Sequence, residues 1–256
     1  MKLSVIVITK NEAAHIGACL DSVAFADEII VLDSGSADAT CAIARQRGAR
    51  VETTADWPGF GPQKNRALDL ATGDWVLSID ADERVTPELA ESITRALAAP
   101  QAQAYRVARL SNFCGRWIRH SGWWPDYVVR LFRRDAGRFS DAPVHEHVVV
   151  SGRTATLSGH FLHYPYASLE IFIDKINRYS TEAALAAHRK GRRTGVLGPF
   201  GHAAWTFIRH YVLRRGVLDG WQGLVLAGMA ATGSFYRYVK LYWLGKRPPA
   251  ASADEA

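Results

Sequence analysis

Gly73-Asp74-Trp75-Val76-Leu77-Ser78-Ile79-Asp80-Ala81-Asp82-Glu83 sets a short apolar run directly before a cluster of acids. A run without strict apolar/polar alternation fits a strand buried on both faces, as in a parallel sheet covered by helices. The residues before it agree. Gln63 to Ala71 has helical spacing and is closed by Gly73. Further back, Leu3-Ser4-Val5-Ile6-Val7-Ile8 and Glu28-Ile29-Ile30-Val31-Leu32 repeat the buried-strand pattern, and Arg50-Val51-Glu52-Thr53 is a short third strand. Helices are predicted between them, from Asn11 to about Val23 and from about Ala37 to Arg47, the second ending at Gly48 in a C-cap position. Strands separated by crossover helices imply a parallel α/β sheet. Such sheets bind ligands beyond the carboxyl ends of their strands. Thr9–Glu12, Asp33–Ser36 and Asp80–Glu83 all fall at such ends.

Beyond a helix at 87–98 the pattern changes. Ala104 to Arg109 and Tyr127 to Arg133 read as strands around an aromatic loop with Trp117, Trp123 and Trp124. Strand-like pieces follow near 144–150 and 155–163. Helices are predicted from Ser168 to about Arg189, Phe200 to Arg214 and Trp221 to about Leu244. The 256 residues are 48% apolar and 22% charged, which fits a packed globular chain rather than a disordered one. No signal peptide is readable ahead of the first strand, and the three scattered cysteines (Cys19, Cys41, Cys114) suit a reducing, cytoplasmic setting as free thiols. The net charge of +6 is unevenly spread: residues 1–100 carry 9 Lys/Arg against 15 Asp/Glu, whereas 188–247 carry 11 against Asp219 alone. An acidic first half suits a metal-gathering site, and a basic, aromatic last segment suits an anionic surface.

Asp80 and Asp82 follow a strand directly. On extended backbone their side chains would point the same way and could share one hard cation, Mg²⁺ or Mn²⁺, that bridges diphosphate oxygens. A loop with a helix N-cap is the bland alternative, and the strand-end position argues against it. The Asp33-Ser34-Gly35-Ser36 turn can hold a ribose or base edge, with plain helix capping compatible. Thr9, Asn11 and Glu12 form a similar turn. Lys64 and Arg66 could meet nucleotide oxygens; a solvated helix face is the competing reading, more for Lys64 than for Arg66. Arg130 or Arg133 could clamp a diphosphate by bidentate contact. His145 and His147 with His160 and His163 invite a zinc reading, but the spacing fits no known finger.

In order and spacing these pieces resemble the family 2 glycosyltransferases, inverting enzymes of the GT-A fold. The likeness rests on Ser4–Ile8 with Lys10-Asn11-Glu12, Ile29 to Thr40, Lys64-Asn65-Arg66-Ala67, and Gly73 to Glu83. Ser34 stands where many relatives have a second Asp. Arg130-Leu131-Phe132-Arg133-Arg134, Val144-His145-Glu146 and Gly216-Val217-Leu218-Asp219-Gly220 with Tyr238 to Leu241 look like the lipopolysaccharide-core β-glucosyltransferase subgroup. The resemblance implies a mostly parallel sheet with helices on both faces. It implies a catalytic domain over 1–165, with a nucleotide-sugar and metal half at 1–110 and an acceptor half at 111–165. A helical basic extension over 166–247 and a disordered tail at 248–256 would follow. It also implies a nucleotide-sugar donor, UDP-glucose foremost, meeting Thr9, Asn11, Glu12, Asp33, Ser34, Lys64, Arg66, Asp80, Ala81 and Arg130, with Asp80 and Asp82 on a divalent metal. Inverting transfer needs a general base; Glu146 is preferred to Asp126. His163 is the histidine best suited to complete the metal's coordination. The acceptor would be a glycolipid such as the lipopolysaccharide inner core.

The uncharged stretch Gly223–Gly233 is shorter than the roughly 20 residues needed to span a bilayer. Its basic and aromatic flanks suit peripheral attachment to the cytoplasmic face of the inner membrane, with a buried helical hairpin as the alternative. A nucleotidyltransferase would place a glycine-rich basic loop after the first strand, and Thr9-Lys10-Asn11-Glu12 is not one. A nucleic-acid binder would leave the strand-end clusters without a role, so no nucleic-acid partner is expected.

Overall fold

The chain divides into two compact units, Met1–Ser111 with Pro125–Tyr164, and Asn112–Trp124 with the chain from Pro165 onward. The computed structural model describes residues 1–141, 146–166 and 168–246. The first unit begins β1 (Leu3–Thr9), α1 (Ile16–Ser22), β2 (Glu28–Asp33), α2 (Thr40–Gln46), β3 (Arg50–Thr53), α3 (Phe60–Leu70) and β4 (Trp75–Ser78). Here β3-β2-β1-β4 lie side by side and parallel. Successive side chains in a strand face opposite ways, and β1 serves two cores at once. Leu3, Val5 and Val7 pack with Ile16 and Leu20 of α1 and Ala44 of α2, while Ile6 packs with Ala67 and Leu68 of α3. Helices thus cover both faces, as expected of apolar runs without alternation.

After β5 (Glu83–Val85) and α4 (Pro87–Ala98) come β6 (Ala104–Phe113), β8 (Asp126–Arg133), β9 (Gly137–Phe139), β10 (Val148–Val150) and β11 (Thr154–His163), with β7 (Arg116–Trp117) inserted after β6. The sheet continues β4-β8-β6-β11-β5, with β8 antiparallel to both β4 and β6, β11 parallel to β6, and β5 antiparallel to β11. It is therefore parallel in its first half and mixed in its second. The start of α4 is fixed by Thr86, whose hydroxyl accepts from Leu89 N, and by Pro87 in the first turn.

Two boundaries differ from the sequence reading for local reasons. Asn11 adopts the left-handed region (φ 56°), and its Oδ1 accepts from Ala37 N, so the chain turns there and α1 starts only at Ile16. Asp80 to Glu83 is a tight turn closed by Glu83 N donating to Asp80 O at 2.9 Å, and β5 follows at once. The three cysteines are free, with Cys19 buried and Cys114 exposed.

The second unit holds α5 (Leu169–Arg189), α6 (Gly198–Ile208), a π-helical turn (Arg209–Leu213), a short 3-10 turn (Gly216–Asp219) and α7 (Gly220–Lys246). The predicted helix over 200–214 is thus broken by a wider turn. Asp219 is buried, and its carboxylate accepts from the backbone N–H groups of Arg119 and His120 and from the Ser121 hydroxyl, tying the aromatic loop to the 3-10 turn. A Cβ on Gly223 would lie 1.8 Å from Gly216 O, so only glycine lets α7 start against that turn. Gly223, Leu226 and Ala227 are buried. The uncharged stretch expected at a membrane surface therefore presents much of its area to protein. No helix among the described residues is long and apolar enough to cross a membrane. The tail at 248–256 lies outside the described residues.

Candidate active site

The ends of β1 and β2 are knitted together by their own polar groups. Thr9 Oγ1 donates to Asp33 Oδ1 at 3.1 Å, Ser34 N to Thr9 O at 2.9 Å, Asn11 N to Ser36 Oγ at 2.8 Å and Glu12 N to Thr40 Oγ1 at 2.8 Å. Asp33 also accepts from Gly35 N and from the backbone and side chain of Ser36, so each of its oxygens takes two hydrogen bonds. Burial pushes its carboxyl up, but these donors outweigh burial and hold it below the usual range. With both oxygens so engaged, Asp33 is primarily the brace of this turn. Gln63 Nε2 donates to Ser34 Oγ at 3.0 Å and to Thr54 Oγ1 at 2.7 Å, coupling α3 to the same turn.

At the end of β4 an alternating chain of acids and bases runs through the sheet. Glu146 accepts from Lys64 Nζ at 3.0 Å, and the same Nζ lies 3.0 Å from Asp80. Asp80 pairs with Arg130, Arg130 lies 3.1 Å from Glu83, Glu83 is 3.6 Å from Arg109, and Arg109 pairs with Asp126 at 2.5 Å. Strand register explains part of it, since Arg109 of β6 and Asp126 of β8 stand directly opposite. Glu83 is 0% exposed, Lys64 4% and Arg130 5%. Burial drives Asp80 towards its neutral form, yet Arg130 and Lys64 outweigh it and hold the carboxyl far below the carboxylate range. Burial likewise opposes the charge on Arg130, and Asp80 and Glu83 keep it protonated.

These placements revise several expectations. Lys64 is interior and paired, whereas Arg66 is the surface cation, bonded to Asp56 at 2.9 Å and to Gln63 Oε1 at 3.3 Å. Arg130 stands among the site carboxylates, while Arg133 pairs with its neighbour Asp135 at the surface. Ala81 is buried, with its carbonyl accepting from Arg84. The argument that Asp80 and Asp82 share a direction assumed extended backbone. The turn at 80–83 removes that premise: Asp80 meets Arg130 and Lys64, and Asp82 meets His163.

Residues 4–159 match the family described as Glycosyl transferase family 2. The chain belongs to that family. Among curated relatives of this family 2 glycosyltransferase is the lipopolysaccharide core biosynthesis glycosyltransferase LpsC of Rhizobium meliloti, 31% identical over 94% of this chain and 92% of LpsC. An uncharacterized glycosyltransferase of Rickettsia typhi is also 31% identical, over 94% of this chain and 86% of its own. Among solved structures, TarS 1–349 of S. aureus in complex with UDP-GlcNAc aligns over 96% of this chain and 92% of its own, at 19% identity and a TM-score of 0.49. Glucosyl-3-phosphoglycerate synthase of Mycobacterium tuberculosis, in complex with Mn²⁺, UDP and glucosyl-3-phosphoglycerate, aligns over 43% of this chain and 44% of its own, at 30% identity and a TM-score of 0.38.

Whether this transferase could hold a divalent ion turns on its donor set. No group of three His, Cys, Asp or Glu side chains among the described residues is arranged to hold a metal ion. Two donors do meet: His163 Nε2 lies 3.6 Å from Asp82 Oδ2, and His163 Nδ1 is fixed by Ser111 Oγ at 2.9 Å. A carboxylate and an oriented imidazole fit an ion that takes its remaining ligands from water and phosphate oxygens. His145 of the discarded zinc reading lies outside the described residues.

Glu83, Arg109 and Gln63 were not singled out from the sequence. Glu83 directly follows the two aspartates and is the most enclosed acid of the ionic chain. Its signal was available: an acid beginning a strand, with arginines on two later strands and no other evident partner.

Proposed function

We propose that this family 2 glycosyltransferase moves a hexose, glucose being the leading choice, from a nucleotide diphospho-sugar to a glycolipid acceptor of the lipopolysaccharide-core type, with inversion. The relation to LpsC supports the acceptor class. One observation carries the mechanism: a single buried ammonium, Lys64, is shared by Asp80 and Glu146 and so holds the candidate base beside the β4 strand end. Glu146 takes the proton of the acceptor hydroxyl as that oxygen attacks the anomeric carbon, and the bond from that carbon to the diphosphate oxygen breaks on the opposite face. Asp126 is the second choice, since Arg109 binds it and it sits further along the chain of charges. Lys64 and Arg130 supply fixed positive charge near the departing diphosphate. Asp82 and His163 would hold a Mg²⁺ or Mn²⁺ ion, which when bound neutralises charge on the leaving group. The turns carrying Thr9, Asn11, Glu12 and Ser34 receive the nucleoside, with Arg66 at their margin.

Peripheral attachment to the cytoplasmic face of the inner membrane belongs to the same reading. Leu197, Phe200, Trp205, Val212, Leu213 and Trp221 are all more than half exposed, and Arg209, Arg214 and Arg215 lie among them. Apolar and basic side chains mixed in this way suit an anionic lipid surface.

The test uses the full chain with UDP-glucose, Mn²⁺ and a deacylated inner-core acceptor, reading UDP release and donor binding. Glu146→Gln should cut transfer by at least about 100-fold, the usual scale for a general base, with donor affinity nearly unchanged. If Asp126→Asn has that effect and Glu146→Gln does not, the base is Asp126. Metal-dependent turnover that survives in both Asp82→Asn and His163→Gln would refute the metal assignment.

A further inference from the structure

Within the helical unit, α5, α6 and α7 line an open cavity of about 440 Å³, a volume in the range of small-molecule sites. Its α7 wall is Leu226, Met229, Ala230, Gly233, Ser234 and Arg237, a spacing of three and four that keeps all of them on one helix face. Phe172 and Ile176 face them from α5. Phe172 and Leu226 of its lining belong to a packed cluster with Phe113 and Ile118. Ala230 and Ser234 line the open space with short side chains, while Gly233 lets α5 come close, since a Cβ there would lie 3.2 Å from Ile176. From Leu226 to Arg237 the helix rises about 16 Å, so the space is elongated rather than compact.

The polar feature of this wall is unusual. Arg237 lines the cavity, and its Nε is buried without a hydrogen-bond partner among the described residues. Its guanidinium instead lies 5.4 Å from the ring of Tyr238. A buried cationic donor left unmatched is costly, and an anionic oxygen would relieve it. Lys240, one turn on, is already engaged by Asn177, Ser180 and Thr181. An elongated apolar space with one unmatched guanidinium calls for a ligand that is apolar along its length and anionic at one end.

We infer that this cavity binds one acyl chain of an anionic lipid, with the lipid's phosphate on Arg237. The inference stands apart from the sugar-transfer reading and uses none of its residues. The probe is dodecyl phosphate below its micelle concentration, titrated into the full chain by calorimetry, with dodecyl maltoside and inorganic phosphate as controls. Dodecyl phosphate should bind one to one and at least about tenfold tighter than either control, the scale of a charge-assisted contact. Arg237→Met should abolish its advantage over the maltoside, and Ala230→Phe should block both amphiphiles without lowering the melting temperature. If Ala230→Phe fails to fold, the selectivity lost in Arg237→Met decides alone. Absence of saturable binding, several molecules bound per chain, inorganic phosphate binding as tightly, or unchanged selectivity in Arg237→Met would each overturn the inference.

Discussion

Replacing Lys64 with Met tests the ionic chain at its most enclosed cation. Methionine keeps most of the apolar stem but removes the ammonium, which lies 5.7 Å from the ring centroid of Phe139. It removes the charge shared at 3.0 Å by Asp80 and Glu146. Breaking a buried pair from one side costs about 3–5 kcal/mol. Here the lower end applies, because Asp80 keeps Arg130 and the Glu146 side chain is 22% exposed and can hydrate. About 3 kcal/mol corresponds to a melting temperature lower by about 6–12 °C for a chain of this size. Calorimetry at pH 7 reads it directly. The Lys64→Met/Glu146→Gln double variant should recover at least about 1 kcal/mol relative to additivity, since it no longer leaves that carboxylate without its cation. A single variant that melts within 2 °C of the parent, or strict additivity in the cycle, would refute the reasoning.

Asp33 should leave an acid signature. Its depressed carboxyl stabilises the fold at pH values above its unfolded pKa, about 3.9, and that contribution is lost as pH falls through the folded value. Asp33→Asn should cost about 1–3 kcal/mol at neutral pH and flatten the decline of the melting temperature below about pH 4; an unchanged acid slope counts against the brace. Asp219→Ala strips acceptors from the Arg119 and His120 N–H groups and the Ser121 hydroxyl. It should destabilise by about 3 kcal/mol, measured by urea unfolding, and a loss below about 1 kcal/mol would show that water satisfies those donors. Replacing both Trp205 and Trp221 with Glu should weaken sedimentation with phosphatidylglycerol vesicles at least about tenfold, whereas equal binding would point to another surface.

The parallel half of the sheet was legible because its strands are apolar on both faces, and few other elements are. The strand-end clusters were legible for the same reason: a buried strand must end somewhere, and Thr9, Asp33 and Asp80 mark where. What escaped were features set by side chains far apart in sequence. Nothing local distinguishes Lys64 from Arg66 on one helix. Lys64 is interior because Asp80 and Glu146 converge on it, and Arg66 is exterior because Asp56 lies in reach. The backbone at Asp80 and Asp82 is a turn rather than a strand, and a hydrogen-bonded turn of four residues carries no apolar pattern to read. The Gly223–Gly233 stretch invited a membrane reading by composition, yet helical periodicity puts Gly223, Leu226 and Ala227 on a packed face. Exposed apolar residues are instead numerous before it, on α6 and the turns that follow, among them Phe200, Trp205, Val212 and Leu213.

Three links of the ionic chain join residues far apart along the polypeptide: 82 positions separate Lys64 from Glu146, 50 separate Asp80 from Arg130 and 47 separate Glu83 from Arg130. Because burying charges carries a desolvation cost that only close pairing offsets, these contacts form late on the folding route, after the apolar strands have collapsed. These charges therefore stay hydrated through the rate-limiting step and meet only on its downhill side. Substitutions among them should hasten unfolding and leave the refolding rate nearly untouched, so these groups also set how long the native chain survives between openings.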